Sequence, residues 1–296
     1  MIAMRQGHVT VFFLLYALAA YSQDARGFGP DKKVVYKTVG KTELKLHIFN
    51  PPRHEPSDRR PVIVFFFGGG WNGGSPSQFY PHCAYLASRG MVAMAAEYRV
   101  KSRNNTSPRE CVKDGKSAVR WIRQHADELG IAPDKIAAGG GSAGGHVAAA
   151  TGTTRGFEEE GEDRNVSSCP NALVLFNPVF DNGPGGYGHE RVKEYWKEFS
   201  PMHNIDGDTP PTIVFLGTKD KLIPITTAEE YKERMEKAGV RCDLHLYEDQ
   251  PHGFFNFKHR EYYTRTVIQM DRFLASLGYV DGEPTLQNGP HPRDGS

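Results

Sequence analysis

One stretch, residues 136–150, reads IAAGGGSAGGHVAAA, and the interpretation of the whole chain starts from it. A short apolar run, a group of glycines and an alanine-rich segment follow one another, which predicts a strand, a sharp turn and a helix with Ser142 at the turn. Gly140 and Gly144 complete the pattern G-x-S-x-G, in which a serine on a strained turn holds its hydroxyl above a sheet. Strand and helix approach closely there and leave no room for side chains. The helix start directs free N–H groups at any negative charge beside the hydroxyl, so the stretch predicts a nucleophile for acyl transfer.

The same glycines allow two other interpretations. Gly139, Gly141 and Gly144 also satisfy G-x-G-x-x-G, the spacing of a dinucleotide-binding turn. That interpretation requires an acidic residue about 20 positions further on, at the end of a strand. Residues 158–163 supply acids there, but they lie inside a charged loop, so dinucleotide binding is disfavoured. A purely structural turn is the second alternative, and it is tested by whether the chain also supplies a base, an acid and a second oxyanion donor.

The composition describes one large globular unit without a strongly charged surface. The chain has 296 residues, of which 39% are hydrophobic, and 36 basic residues nearly balance 35 acidic ones, for a net charge of +1. No basic field for nucleic acid is present, so a neutral or mildly charged substrate is expected. Neither a second domain nor an internal repeat is evident. The histidines include no H-E-x-x-H pair, so neither a metal nor another cofactor is expected. No pattern selects an oligomeric state.

The two ends of the chain differ in character from the part between them. Arg5 precedes an apolar run, residues 9–20, and small residues follow before Gln23, which predicts that residues 1–22 form a secretory signal peptide that is removed. The mature protein is then secreted or periplasmic and leaves the membrane, with a retained anchor as the alternative. Residues 281–296 are rich in glycine, proline and polar residues and predict a disordered tail. The domain therefore spans residues 23–280.

Strands and helices are predicted to alternate through this domain. Predicted strands are 34–39, 44–50, 61–67, 91–97, 136–138, 172–176, 212–216 and 242–247. Predicted helices are 77–89, 108–128, the segment after Ser142, a short helix within 189–199, 226–237 and 262–277. Residues 155–168 are predicted to form a charged loop, and residues 181–188 a mobile glycine-rich segment. This alternation predicts an α/β fold with a mainly parallel, eight-stranded sheet covered by helices on both faces.

The four cysteines would be allowed to pair in an exported protein. Four cysteines can form two disulfides in three different ways. Because a core of this size does not depend on disulfides, isolated thiols are the favoured interpretation. The four positions are Cys83, Cys111, Cys169 and Cys242.

Two loops at the ends of later strands supply the missing catalytic groups. His252 follows the last predicted strand and is the candidate general base, and Asp220 follows the preceding strand and is the candidate acid that orients the imidazole. Asp181, one strand earlier, is the alternative acid. His146 lies one turn after Ser142 and is interpreted as a packed residue under the turn.

The order Ser142, Asp220, His252 and the elbow together resemble the α/β-hydrolases. The resemblance covers residues 34–277 and is specifically to esterases that join an HGGG-type loop to a GGSAGG-type elbow, including hormone-sensitive-lipase-like, acetyl-xylan and feruloyl esterases. Residues 67–71, FGGGW, stand where HGGG stands in that group, with Phe67 at the place of the usual histidine. The resemblance therefore implies an oxyanion hole made by the backbone N–H groups of Gly69, Gly70 and Ala143.

The resemblance also implies the activity. We expect a secreted serine ester hydrolase that acts through an acyl-enzyme, without a cofactor, and removes acetyl or hydroxycinnamoyl groups from polysaccharide. Trp71, Tyr187 and Phe254 are candidates for lining the substrate pocket. A prolyl-oligopeptidase-like serine peptidase is the alternative enzyme, and a non-catalytic binding protein with the same fold is the alternative of another class.

Overall fold

A computed structural model describes residues 28–286, and its centre is a single eight-stranded sheet. The strands are β1 (Lys32–Val39), β2 (Thr42–Phe49), β3 (Arg60–Phe66), β4 (Val92–Ala96), β5 (Ile131–Gly141), β6 (Ala172–Phe176), β7 (Thr212–Gly217) and β8 (Cys242–Tyr247). Their order across the sheet is β1-β2-β4-β3-β5-β6-β7-β8. β2 pairs antiparallel with β1 and with β4, and every other neighbouring pair is parallel. The predicted fold class, an α/β fold with a mainly parallel eight-stranded sheet, is confirmed.

Helices cover both faces of this sheet. They are α1 (Tyr80–Ser88), α2 (Lys101–Asn104), α3 (Pro108–Gln124), α4 (Ala143–Thr153), α5 (His189–Val192), α6 (Trp196–Phe199), α7 (Ile225–Lys237) and α8 (Arg260–Ser276). Two 3-10 helices, Pro76–Phe79 and Pro201–His203, complete the set. Among the described helices none is long and apolar enough to cross a bilayer.

The central strands are apolar throughout because both of their faces are covered. In β3, Val62, Val64 and Phe66 join the core layer beneath α3, α4 and α7, whereas Ile63 and Phe65 join the layer beneath α1 and α8. Side chains of successive strand residues point to opposite faces, so an uninterrupted apolar run is what a strand between two cores requires.

Several element boundaries differ from the predicted ones. The strand before the elbow is longer than the apolar run predicts, since the glycines also pair with β3 and β6. A side chain at Gly139 would lie 2.7 Å from the ring of Phe65, so only glycine continues this strand beside that ring. The predicted helix 77–89 is divided into a 3-10 turn and α1. The short helix α2 carries no apolar periodicity and was not predicted.

Ion pairs and the packed ring of Phe157 fix the charged loop after α4. Glu158 pairs with Lys116, at 2.8 Å, and with Arg120, and both of these cations project from α3. Glu159 lies 2.6 Å from Lys37 and 3.0 Å from Arg99. These pairs explain why a segment without apolar periodicity packs against the domain.

The described residues include the start of the predicted C-terminal tail and all four cysteines. Arg89 donates hydrogen bonds to the carbonyls of Asp281 and Gly282, at 2.8 and 2.9 Å, so the first residues of the predicted tail contact the domain. The predicted signal peptide, residues 1–22, and the end of the tail, residues 287–296, lie outside the described residues. All four cysteines are free thiols, which confirms the favoured interpretation.

His82 is a fully buried histidine whose ring nitrogens have no hydrogen-bond partner within residues 28–286. Aromatic rings surround it, among them Phe79, Phe176 and Tyr263, at centroid distances of 5.0, 5.3 and 4.9 Å. Burial without a partner lowers the pKa of His82 to about 3. The imidazole is therefore neutral in the folded protein across the physiological range.

We predict that His82→Leu reduces the pH dependence of stability. Between pH 6.5 and 3 the unfolded chain binds a proton at His82 that the folded protein does not, so the free energy of unfolding falls as pH falls through this window, by roughly 1 kcal/mol per pH unit. Urea unfolding at pH 8 and pH 5.5 measures the effect. The variant should be at least as stable as the unsubstituted protein at pH 8 and lose less stability at pH 5.5. Equal losses in both proteins would contradict the prediction.

Candidate active site

The elbow holds Ser142 in a backbone conformation that is unfavourable for a residue with a side chain. Its φ is 55° and its ψ is −122°, outside the regions that L-residues readily adopt. Neighbouring backbone groups fix this conformation. The N–H of Ser142 donates to the carbonyl of Phe176 at 2.9 Å, and its carbonyl accepts from the N–H of Val179 at 3.2 Å. The hydroxyl therefore stands at the carboxyl end of the central strands.

The glycines of G-x-S-x-G are explained by the distance between strand and helix. A Cβ atom at Gly144 would lie 2.1 Å from the carbonyl oxygen of Phe66, and one at Gly140 would lie 2.4 Å from the carbonyl oxygen of Gly144. Real Cβ atoms do not approach other atoms so closely. The beginning of α4 thus packs directly on the backbone of β3 and β5.

The structure brings Ser142, His252 and Asp220 together from three different strand ends. His252 Nε2 lies 2.9 Å from Ser142 Oγ, and His252 Nδ1 lies 2.7 Å from Asp220 Oδ2. The Asp220 side chain is buried, and its other oxygen accepts the N–H groups of Leu222 and Ile223 at 2.8 and 3.0 Å. These donors hold the carboxylate toward the imidazole. The carboxylate in turn favours a proton on Nδ1 and leaves Nε2 free to accept the serine proton.

Asp181, the alternative acid, and His146, which follows Ser142 by one helical turn, make other contacts. Asp181 Oδ1 accepts the N–H of Gly183 at 2.7 Å and lies 3.8 Å from Nδ1 of His203, so its contacts are with a different histidine. His146 is buried against the ring of Phe199, with Nε2 3.2 Å from the Phe199 carbonyl, and burial lowers its pKa to about 3. The interpretation of His146 as a packed residue is confirmed.

The glycine loop after β3 presents backbone donors to the same site. Gly69 and Gly70 have positive φ, at 129° and 62°, and the N–H of each is without a protein acceptor within the described part of the chain. The N–H of Gly68 is different, because it donates to Oε1 of Gln78 at 2.7 Å. Ala143 is the first residue of α4, where a backbone N–H has no acceptor within the helix. The three N–H groups expected for an oxyanion hole are therefore available.

Three side chains, those of Tyr98, Arg191 and Gln78, hold this glycine loop in place. The ring of Phe67 is buried and stacks on Tyr98 at a centroid distance of 4.2 Å, and the Tyr98 hydroxyl donates to the Phe67 carbonyl. Arg191 donates to the carbonyl of Gly70 at 2.7 Å. Gln78 receives the N–H of Gly68. At the position where the resemblance leads one to expect a histidine, aromatic stacking replaces any polar link that an imidazole would make.

The predicted pocket is correct for one aromatic residue and wrong for two. A cleft of about 250 Å³ opens over Ser142, and Tyr187 lines it. Trp71 does not line it and instead packs against His146, Tyr187 and Phe199. Phe254 is also buried, against the rings of Tyr247 and Tyr262.

Several lining residues were missed in the sequence. Phe255, and not its neighbour Phe254, lines the cleft, with its ring beside Gly141 of the elbow. Leu222 is 47% exposed at the mouth of the cleft. Three carboxamides also line it, from Gln78, Asn177 and Asn256. Asn177 alone had a usable signal, its position immediately after β6.

We predict that Gly144→Ala destabilises the protein, against the usual effect of this substitution in a helix. Alanine normally stabilises a helix by about 1 kcal/mol relative to glycine. Here the new methyl group would overlap the carbonyls of Phe66 and Phe67, at a cost of about 3 kcal/mol. Gly207→Ala is the control, because the nearest atom to its Cβ would be 3.8 Å away. Urea unfolding measures both variants, and a Gly144→Ala protein as stable as the control would contradict the packing argument.

Comparisons with known proteins identify similar esterases of the same fold. The BD-FAE family model matches residues 46–181, and a model described as alpha/beta hydrolase fold matches residues 188–256. The crystal structure of Thermogutta terrifontis esterase 2 phosphorylated by paraoxon is 48% identical, with a TM-score of 0.82, and the match covers 85% of this chain and 96% of that one. The same esterase with propionate bound is 46% identical, with a TM-score of 0.82, over 88% of this chain and 98% of that one.

Curated relatives are more distant and longer. Esterase LipC of Mycobacterium tuberculosis is 28% identical over 61% of this chain and 49% of its own length. An acetylxylan esterase of Xylanibacter ruminicola is 26% identical over 75% of this chain and 46% of its own length. The chain thus spans about half the length of these two relatives.

Proposed function

This chain belongs to the esterases of the α/β-hydrolase fold, and we propose that it hydrolyses short-chain carboxylic esters through an acyl-enzyme on Ser142. One observation carries the proposal. Ser142 Oγ, the imidazole of His252 and the buried Asp220 carboxylate are joined by contacts of 2.9 and 2.7 Å, beside backbone N–H groups that have no protein acceptor in residues 28–286. Such a set supplies a nucleophile, a base and a binding site for negative charge.

The first half of the reaction forms the acyl-enzyme. Ser142 Oγ attacks the ester carbonyl while His252 Nε2 takes the hydroxyl proton, and Asp220 stabilises the resulting imidazolium. The carbonyl oxygen becomes an oxyanion that accepts hydrogen bonds from the N–H groups of Gly69, Gly70 and Ala143. Each such donor is worth on the order of 3 kcal/mol in the transition state. The intermediate collapses as His252 returns the proton to the leaving alcohol.

The second half repeats these steps with water. His252 removes a proton from a water molecule, the hydroxide attacks the acyl carbon, and the same three N–H groups bind the new oxyanion. Its collapse releases the carboxylic acid, and the proton on His252 returns to Ser142. Apart from the ester and water, both halves use only groups of this chain.

We propose further that the natural substrate is an O-acetylated polysaccharide. The cleft of about 250 Å³, which Phe255 and Tyr187 help to line, suits a small acyl group. Two relatives support this choice, since one is named an acetylxylan esterase and the Thermogutta esterase binds propionate. A hydroxycinnamoyl ester is the second candidate, because the rings of Phe255 and Tyr187 could face the aromatic ring of the acyl group.

The location of the enzyme follows from the same proposal. A polymer outside the cell requires an exported enzyme, and the predicted signal peptide, residues 1–22, would provide export. Expression of the full chain in a bacterial host should yield a secreted or periplasmic protein that begins at Gln23. A protein that keeps residues 1–22 and stays with the membrane would favour the anchor.

Ser142→Ala should abolish ester hydrolysis because it removes the nucleophile. The assay uses p-nitrophenyl acetate, p-nitrophenyl butyrate, methyl ferulate and acetylated xylo-oligosaccharides with the unsubstituted protein and the variant. We expect acetate and butyrate turnover to fall by at least 10⁴-fold and stoichiometric phosphorylation by paraoxon to be lost. Turnover that survives the substitution would refute the mechanism. Turnover of aminoacyl p-nitroanilides alone would favour the peptidase, and no turnover at all would favour the binding protein.

Asp220→Asn and Asp181→Asn form a matched pair that identifies the acid. Both substitutions remove one carboxylate with little change in shape. We expect Asp220→Asn to lower kcat on the order of 10⁴-fold, because the tautomer of His252 is no longer fixed, and Asp181→Asn to change kcat less than threefold. The reverse order of effects would assign the role to Asp181.

A further inference from the structure

A continuous series of hydrogen bonds connects the glycine loop to the histidine loop through side-chain carboxamides. The N–H of Gly68 donates to Gln78 Oε1 at 2.7 Å, and Gln78 Nε2 donates to Asn256 Oδ1 at 2.9 Å. Asn256 Nδ2 then donates to the carbonyl of Gly253, next to His252, at 2.7 Å. We call Gln78 and Asn256 the carboxamide bridge.

The orientation of both carboxamides is fixed by the two ends of the bridge. A backbone N–H can only donate, so the oxygen of Gln78 must face Gly68. Its nitrogen then faces Asn256 and requires an oxygen there. The nitrogen of Asn256 is consequently left to meet the Gly253 carbonyl, which can only accept. Every donor meets an acceptor in this arrangement, and flipping either amide would place like atoms against each other.

A third carboxamide continues the series to the imidazole. The N–H of Gly253 donates to Asn177 Oδ1 at 2.9 Å, and Asn177 Nδ2 lies 3.4 Å from His252 Nε2. Asn177 is fully buried. Gly253 is therefore held through its carbonyl by Asn256 and through its N–H by Asn177, which fixes the residue that follows the proposed base.

We propose that Gln78 and Asn256 are positioning residues that hold the oxyanion N–H groups at a set distance from His252. The inference rests on the proposed esterase function and adds two residues to it. Gln78 lies in the 3-10 helix before α1 and Asn256 lies after β8, 178 residues apart in sequence. Their hydrogen bond thus connects the glycine loop, which follows β3, with the histidine loop, which follows β8. The displacement of a reacting group by about 1 Å can cost about 100-fold in rate.

Direct recognition of substrate by these residues is less consistent with the contacts. Both carboxamides line the cleft, but the bridge already uses one lone pair of each oxygen and one N–H of each nitrogen. Each carboxamide keeps only one lone pair and one N–H for a ligand. Loss of the bridge should therefore affect kcat more than KM.

The experiment reverses the polarity of the bridge without changing its shape. In Gln78→Glu an oxygen still accepts from Gly68, but a second oxygen faces Asn256 Oδ1. In Asn256→Asp an oxygen still accepts from Gln78, but a second oxygen faces the carbonyl of Gly253. At pH 8 we expect each substitution to lower kcat for p-nitrophenyl acetate by 10- to 100-fold and to change KM less than threefold.

The matched control is Gln250→Glu, which places the same charge on the histidine loop. Among residues 28–286 the Gln250 carboxamide donates only to the carbonyl of Glu248, at 3.2 Å, and takes no part in the bridge. Its kcat should stay within twofold of the unsubstituted protein. An equal loss in this control would assign the effect to charge and overturn the inference.

A transition-state mimic separates positioning from general stability. A boronic acid forms a tetrahedral adduct with Ser142 that places an oxygen among the three N–H groups, so its affinity should weaken by the same factor as kcat/KM. Affinity for butyrate should not change. An unchanged boronic acid affinity in variants with reduced kcat would overturn the inference.

Uncharged variants provide a second measurement if a carboxylate prevents folding. Gln78→Ala and Asn256→Ala each break the same bridge, so the double variant should lose no more kcat than the worse single variant, whereas independent effects would multiply. Multiplied losses would overturn the inference. An unsubstituted protein without ester turnover would refute the proposed function instead, and full turnover in all bridge variants would refute the bridge alone.

Discussion

The close approach of α4 to the backbone of β3 and β5 is the constraint on which the active site depends. No side chain fits at Gly140 or Gly144, because the backbone of α4 lies in direct contact with the backbone of β3 and β5. The chain must consequently turn within one residue, and Ser142 takes a φ of 55° to do so. Three backbone hydrogen bonds, with Phe176, His146 and Val179, over-determine this conformation of Ser142. Strain and packing together lift the hydroxyl above the strand ends.

The other site groups come from loops that follow neighbouring parallel strands. Parallel strands bring their carboxyl ends to one edge of the sheet, so Ser142, Asn177 and Asp220 follow β5, β6 and β7 in order, and His252 follows β8. Each loop is then adjusted by hydrogen bonds to backbone groups, such as those from Leu222 and Ile223 to Asp220. The sheet places these groups near one another, and the loop contacts fix the distances between them.

Carboxamides and the Arg191 guanidinium, which donates to the Gly70 carbonyl, surround the proposed oxyanion site. The charged clusters that involve Glu158 and Glu159 lie around α3 and fix the loop after α4. A fixed anion beside the glycine loop would repel the negative charge that forms on the carbonyl oxygen. Carboxamides can connect the loops with defined donor and acceptor directions and add no net charge. The separation of the two kinds of contact suits a site whose transition state is anionic.

The sequence by itself determined the fold class, the elbow and the order of the proposed triad, because these depend on local patterns: glycine spacing around Ser142, apolar runs, and the positions of Asp220 and His252 after strands. Only the tertiary structure decided which side chains face the cleft. Of the adjacent residues Phe254 and Phe255 only the second lines the cleft, and Trp71 packs in the core. The bond between Gln78 and Asn256 has no local signature, because 178 residues separate its partners and only the folded sheet brings them within 2.9 Å.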